Sequence, residues 1–236
     1  MFTPRKIVET KLKALLAEDI GQGDATAAAV IPPNLTVEAE VIAKEEGVAA
    51  GVEEATILAE SLGLQVKVKV ADGAKVKNKQ VLLEISGDAQ TILALERTLL
   101  NLLSRMSGIA TQTYRLTQKL KESGAKTRVA ATRKAAPGLL YFDKKAVALG
   151  GGDPHRLHLD DMLLIKDNHL AIVGDVEAAV KKAKANASYT KKIEVEVTTA
   201  QDAVKAAKAG ADIVMLDNFS AKDAKAAVQA LKTAGL

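Results

Sequence analysis

Four short apolar runs in the second half of the chain end on, or carry, charged residues. Val129-Ala130-Ala131-Thr132 leads into Arg133-Lys134, Met162-Leu163-Leu164-Ile165 into Lys166-Asp167-Asn168-His169, and Ile213-Val214-Met215-Leu216 into Asp217-Asn218. The remaining run, Ile193-Glu194-Val195-Glu196-Val197, places two carboxylates two residues apart, hence on one face of a strand. In parallel β/α folds the reactive groups gather at the C-terminal ends of the strands, so these runs deliver charge to one rim. A carboxylate on a buried strand needs a partner, because burying it alone is costly. Carboxylates beside substrate oxygens suit Mg²⁺, and the cations suit a polyanion. Together they describe phosphoryl or phosphoribosyl chemistry.

Gly150-Gly151-Gly152-Asp153-Pro154-His155-Arg156 adds a glycine-rich turn after an expected strand. Main-chain amides in such a turn can approach an anion closely, and the adjoining arginine can grip a carboxylate with two hydrogen bonds. Taken singly, a lysine after a strand is an ordinary solvated loop residue. His158 reads as structural, and His169 fits either role. A strand-end lysine, Lys166 or Lys134, also suits a Schiff-base aldolase, so that alternative stays open at this point.

The elements that must position these residues fall into two styles. Ile7, Val8, Leu12, Leu15 and Leu16 recur at helical spacing over residues 1–18, and a glycine-rich turn follows at Asp19 to Asp24. Residues 36–43, 65–70 and 81–85 alternate as half-buried strands, with Asp72-Gly73 as a tight turn and a helix over 53–62 between them. A long helical pattern covers 89–122, capped by Asp88, and Ser107-Gly108 marks a point where it can break. From residue 127 a strand–helix rhythm takes over, with strands expected at 127–132, 145–149, 162–166, 192–197 and 212–216. Asp175, Thr199 with Asp202, and Ser220 with Asp223 are expected to cap the later helices, and Gly210 to stop one of them. The expected fold class is α/β. An α+β sandwich domain over 1–105 precedes an α/β unit over 106–236 with parallel strands and right-handed crossovers, either a barrel or a doubly wound sheet.

Composition narrows the function classes. With 48% apolar and 26% charged residues, the 236-residue chain is of the ordinary globular kind. Aromatics are 3% and tryptophan is absent, so the core is aliphatic. The lack of cysteine excludes disulfides, thiolate metal sites and a cysteine nucleophile, and fits a cytoplasmic setting. No run approaches the roughly 20 apolar residues of a membrane helix, and no signal peptide is seen at the start. The net charge of +4 comes from scattered lysines without aromatic platforms, which argues against a nucleic-acid partner and for an anionic small molecule.

These motifs resemble one family. Glu18 to Asp24, Glu96-Arg97-Thr98-Leu99-Leu100-Asn101-Leu102-Leu103, Ser107-Gly108-Ile109-Ala110-Thr111, Thr132-Arg133-Lys134, Gly150 to Arg156, Ile165 to His169, Ile193 to Val197 and Leu216-Asp217-Asn218 are similar, in order, to quinolinate phosphoribosyltransferases. The resemblance implies an N-terminal α/β sandwich followed by an open α/β barrel, assembled as a homodimer or a higher assembly of dimers. It implies that quinolinate and phosphoribosyl pyrophosphate yield nicotinate mononucleotide, pyrophosphate and CO₂, with Mg²⁺. Arg133, His155, Arg156 and Lys166 would hold the quinolinate carboxylates, and Lys134 would lie between the two substrates. Arg97 would reach a neighbouring subunit's site, and Glu196 and Asp217 would serve the Mg²⁺-bound ribose and pyrophosphate. Two departures stand out. Ala135-Ala136 precede Pro137-Gly138 where the family commonly has a threonine, and the family continues beyond Leu236 with a phosphate-cradling segment, so the barrel is expected to be incomplete. Activity on another aromatic carboxylate such as nicotinate, or an inactive barrel that only binds or assembles, are the remaining alternatives.

Overall fold

The computed structural model describes residues 3–236, which divide into two compact units, Met1–Leu157 and His158–Leu236. Met1 and Phe2, the start of the first expected helix, lie outside the described residues. In the first unit α1 (Arg5–Ile20) buries Val8, Leu12 and Leu16, while Ile7 faces solvent. Asp24 then caps α2 (Ala25–Val30), accepting the N–H groups of Thr26 and Ala27. β1 (Thr36–Ile42) alternates between exposed and half-buried residues, as its period-two pattern requires.

After β2 (Gly47–Val48) comes α3 (Val52–Ser61), then β3 (Gln65–Val68), β4 (Lys75–Val76) and β5 (Val81–Asp88). The antiparallel sheet runs β1–β5–β3, and β2 pairs with β4. Asp72, in the loop between β3 and β4, accepts the N–H groups of Val52 and Glu53 and so caps α3 from a distance in sequence. Asp88 caps α4 (Ala89–Glu122), accepting the Thr91 N–H at 2.8 Å. α4 passes through Ser107-Gly108 without a break. The Ser107 hydroxyl is engaged by the main chain of Ala50, and the buried stripe of Leu99, Leu103, Met106 and Ala110 continues on both sides of it. Packing therefore outweighs the local glycine cost of about 1 kcal/mol.

Two expected strands are corrected. Residues 145–149 close a helix, α5 (Leu140–Leu149), in which Phe142 and Ala146 are fully buried one turn apart. A short buried apolar run fits either element, and here the helical neighbours decide. Residues 127–132 form no strand. Their ladder contact is a single parallel bridge, Ala130 to Asp153, with 125–128 exposed.

The second unit realises the β/α alternation. β6 (Leu163–Ile165) is followed by α6 (Asp167–Val173) and α7 (Val176–Asn186), β7 (Ile193–Val197) by α8 (Ala200–Ala209), and β8 (Ile213–Leu216) by α9 (Ala221–Thr233). The strands are parallel in the order β6–β7–β8, forming an open sheet. Asp175, Thr199 and Ser220 cap the helices as expected, and Gly210 ends α8 in the left-handed region at φ 96°. Ala203, Ala206 and Ala227 are fully buried, so small side chains form the packed faces of α8 and α9. No helix among the described residues is long and apolar enough to cross a membrane.

Candidate active site

In the second unit, strand register brings three of the expected site residues to one edge. Ile165 lies opposite Val195 and Val197 opposite Leu216, so Lys166, Glu196 and Asp217 all stand at the C-terminal ends of adjacent parallel strands. Lys166 Nζ is 3.2 Å from Glu196 Oε1. Glu194, two residues back on the same face, is 2% exposed. Asp217 is exposed, accepts a 2.9 Å hydrogen bond from Asn218 Nδ2, and joins its own N–H to Val197 O. Asn218 takes φ 57°, a conformation that glycine adopts freely and asparagine, aspartate and histidine more often than other residues. His169 Nδ1 accepts the Lys166 N–H at 3.0 Å, so this histidine fixes the turn that carries the lysine. His158 is exposed beside Asp160 and Asp161.

The first unit carries the other expected cations. Arg133 and Lys134 are exposed, on an irregular segment that the Ala130 bridge ties to Asp153. Asp153 N–H reaches Val129 O at 2.7 Å, and Ala131 N–H reaches Asp153 O at 2.9 Å. Asp153 also accepts the His155 N–H at 2.8 Å and pairs with Arg128 at 3.0 Å. His155 sits at φ 54°, a left-handed conformation that is uncommon for any residue but glycine and costs backbone energy. Arg156 is 9% exposed. Arg97 stands on an exposed position of α4, and no hydrogen bond or ion pair among the described residues links it to either loop.

The glycine run plays a different part from the one its composition suggests. The N–H groups of Gly150, Gly151 and Gly152 are spent on Ala146, Ala148 and Val147, closing α5. A Cβ at Gly150 would lie 2.4 Å from Ala110 O, and one at Gly152 would lie 2.7 Å from Thr113 Cγ2. These glycines let α5 press on α4. Their amides are already committed within the fold.

Cations of the first unit therefore separate into two kinds. Arg105 holds Asp143 with two hydrogen bonds of 2.6 and 2.7 Å, joining α4 to α5. Lys145 bonds Glu53 and Glu54 and lies 3.8 Å from Asp72. Burial works against the Lys145 charge, yet the bonds to Glu53 and Glu54 outweigh it and raise its pKa. Burial pushes the Glu54 carboxyl up against the bond from Lys145, and Glu54 Oε2 has no hydrogen-bond partner among the described residues. Lys144, 1% exposed, donates to the main-chain oxygens of Ala131 and Pro154. By contrast, the side chains of Arg97, Arg133, Lys134 and Arg156 make no hydrogen bond or ion pair among the described residues. Sequence reading missed Asp143, Lys144 and Lys145, because it placed 145–149 in a strand. Three consecutive charges abutting an apolar run were the signal.

Uncommitted cations on loops, with carboxylates and a lysine at the ends of parallel strands, define an enzyme class that handles small polyanions on a β/α scaffold. Models of the quinolinate phosphoribosyl transferase N-terminal and C-terminal domains match residues 24–107 and 109–236. The probable nicotinate-nucleotide pyrophosphorylase (carboxylating) of Methanothermobacter thermautotrophicus is 44% identical over 225 residues, 95% of this chain and 81% of that protein. Its human counterpart is 37% identical over 195 residues, 83% of this chain and 66% of that protein. The solved nicotinate-nucleotide pyrophosphorylase from Francisella tularensis superposes with a TM-score of 0.88 at 38% identity, covering 98% of this chain and 82% of that one. The chain belongs to the quinolinate phosphoribosyltransferase family.

Proposed function

We propose that this chain transfers the phosphoribosyl group of phosphoribosyl pyrophosphate to the ring nitrogen of quinolinate, giving nicotinate mononucleotide, pyrophosphate and CO₂ for NAD biosynthesis. Beyond family membership, the observation that carries this reading is the uncommitted state of Arg133, Lys134 and Arg156, beside structural cations whose charges are all engaged. A nearly buried arginine such as Arg156, with no hydrogen bond or ion pair among the described residues, is costly unless an anion meets it. Arg133, His155, Arg156 and Lys166 take the dicarboxylate, and Lys134 lies between pyridine and phosphoribosyl group. The leaving pyrophosphate strips negative charge from the ribose, and Glu196 and Asp217 stabilise the positive charge that develops there. Decarboxylation then leaves an electron pair on the carbon next to the ring nitrogen, which the cationic pocket favours before a proton takes its place. No side chain is required as a nucleophile.

Glu196 and Asp217, at the ends of adjacent parallel strands, would hold Mg²⁺, an ion that takes one or two carboxylates and completes its shell with water and substrate phosphate oxygens. When bound, the ion neutralises charge on the leaving pyrophosphate. Arg97 acts in the site of a second copy, which makes the working unit a homodimer or an assembly of dimers. Its exposed position, with no hydrogen bond or ion pair among the described residues, supports this.

The test supplies Mg²⁺, phosphoribosyl pyrophosphate and quinolinate labelled at the carboxyl beside the ring nitrogen, with nicotinate in parallel. Labelled CO₂ appearing with the mononucleotide is expected from quinolinate. Turnover of nicotinate alone, or binding without any product, would refute the reading. Mixing the impaired variants Arg97→Ala and Lys166→Met should raise activity above that of either alone, because one hybrid site then holds both residues.

A further inference from the structure

Lys144 is 1% exposed, and a buried ammonium is expensive unless its donors are met. Two of its hydrogen bonds go to main-chain carbonyls, Ala131 O at 3.1 Å and Pro154 O. The acceptors belong to separate segments, and both segments lead directly into anion-binding residues. Ala131 precedes Arg133-Lys134 by two residues, and Pro154 immediately precedes His155-Arg156. An apolar residue of similar length on α5 would fill the same space without burying a charge. What it would not do is hold two irregular strands of main chain together from below.

The segments need that hold. Apart from the Ala130 bridge to Asp153 they lack a sheet ladder, and His155 sits in a strained backbone conformation at φ 54°. Left-handed backbone at a bulky residue persists only where its surroundings over-determine it. Asp153 supplies part of that constraint by accepting the N–H groups of His155 and Ala131, and Lys144 anchors the next residue, Pro154. α5 is itself fastened, by Asp143 to Arg105 and by Lys145 to Glu53 and Glu54. Three consecutive charged residues thus make α5 a fixed post, and Lys144 is the arm that reaches from it to the loops.

We propose that Lys144 is a positioning residue for quinolinate, setting the spacing between Arg133-Lys134 and His155-Arg156 by clamping the carbonyls of Ala131 and Pro154. The proposal rests on the reading that these four residues receive the substrate. A displacement on the order of 1 Å is enough to cost a large factor in a site of this kind.

The experiment compares wild type, Lys144→Met and Lys144→Arg in steady-state kinetics with both substrates and by hydrogen exchange. Lys144→Met should raise KM for quinolinate by about 10-fold or more, the scale of one or two misplaced charge-assisted bonds. KM for phosphoribosyl pyrophosphate should move by less than about threefold, because loosening is confined to the dicarboxylate contacts. Amide exchange should quicken in residues 129–135 and 153–157 and stay unchanged in α3 and β5. Lys144→Arg, which keeps donors for both carbonyls, should recover part of the quinolinate affinity. An active wild type with unchanged quinolinate KM in Lys144→Met overturns the positioning role and leaves the assigned reaction standing. The positioning role also falls if exchange quickens uniformly, or if neither variant folds, since Lys144 is then a stability residue only. An inactive wild type overturns the assigned reaction itself.

Discussion

Lys166 Nζ and Glu196 Oε1 stand 3.2 Å apart at the ends of neighbouring parallel strands, a cation and an anion that strand register places side by side. The lysine side chain is 40% exposed and the glutamate 18%, so solvent screens the pair and its contribution to stability is below about 1 kcal/mol. Its value is geometric: each holds the other's rotamer in the absence of substrate. Lys166→Met should therefore lower kcat/KM for quinolinate by about 10²-fold, the loss expected for a charge-assisted contact to a carboxylate, with little change in melting temperature. A melting temperature that falls steeply while kcat/KM holds would make the pair structural instead.

Arg133 and Arg156 should respond differently to a change of head group than to loss of charge. Arginine recognises a carboxylate through two parallel bonds, which lysine cannot reproduce. Arg156→Lys should raise KM for quinolinate by about 10-fold, and Arg156→Ala by about 100-fold, with folding retained. Equilibrium titration with quinolinate, read by calorimetry, measures both. Equal affinity in Arg156→Lys and wild type would rule out a two-bond grip.

Gly150 offers a clean contrast between packing and anion binding. An added Cβ meets Ala110 O at 2.4 Å, a main-chain atom that cannot step aside cheaply. Gly150→Ala should lose about 1–3 kcal/mol of stability in denaturant unfolding, the usual cost of overpacking, while any protein that folds binds quinolinate normally. Gly63→Ala, where a Cβ meets nothing within 4 Å but φ is 84°, should cost only about 1 kcal/mol through backbone strain. Loss of binding without loss of stability at Gly150 would restore an anion-cradling role.

Glu54 governs a pH effect on stability. Burial raises its pKa in the folded protein, so folding favours the protonated carboxyl. Its contribution is fully present below the pKa of an unfolded glutamate and is lost as pH rises through the higher folded value. Glu54→Gln removes this titration. The melting temperature of the variant should therefore climb relative to wild type as pH rises above about 4, the range of an unfolded glutamate. A difference that stays flat, or runs the other way, would show that Lys145 holds Glu54 ionised throughout.

Much of the fold was legible because local patterns and tertiary packing agree. The alternation in Thr36 to Ile42 survives as a half-buried strand, and Asp88, Asp175, Thr199 and Ser220 cap the helices that their positions announce. The runs at Leu163, Ile193 and Ile213 form parallel strands, and the charges that follow them reach one edge because register is shared. A one-residue slip of β7 would have turned Glu196 to the other face.

Tertiary structure decided the rest. Ala146-Val147-Ala148-Leu149 has no period of its own, and only the face of α4 beneath it makes it a helix. That choice converts the glycines after it from an expected anion cradle into a packing contact, and it turns Lys144 inward beneath the loops. The sequence by itself determined which residue types this protein brings to its chemistry: arginines and lysines for a polyanion, and paired carboxylates on a strand. Which cations are free to meet a ligand, and which are consumed in holding the scaffold, was settled only by three-dimensional neighbours. A charge commits itself to whatever partner folding places within hydrogen-bond reach, and that partner can lie, as for Lys145 and Glu54, 91 residues away.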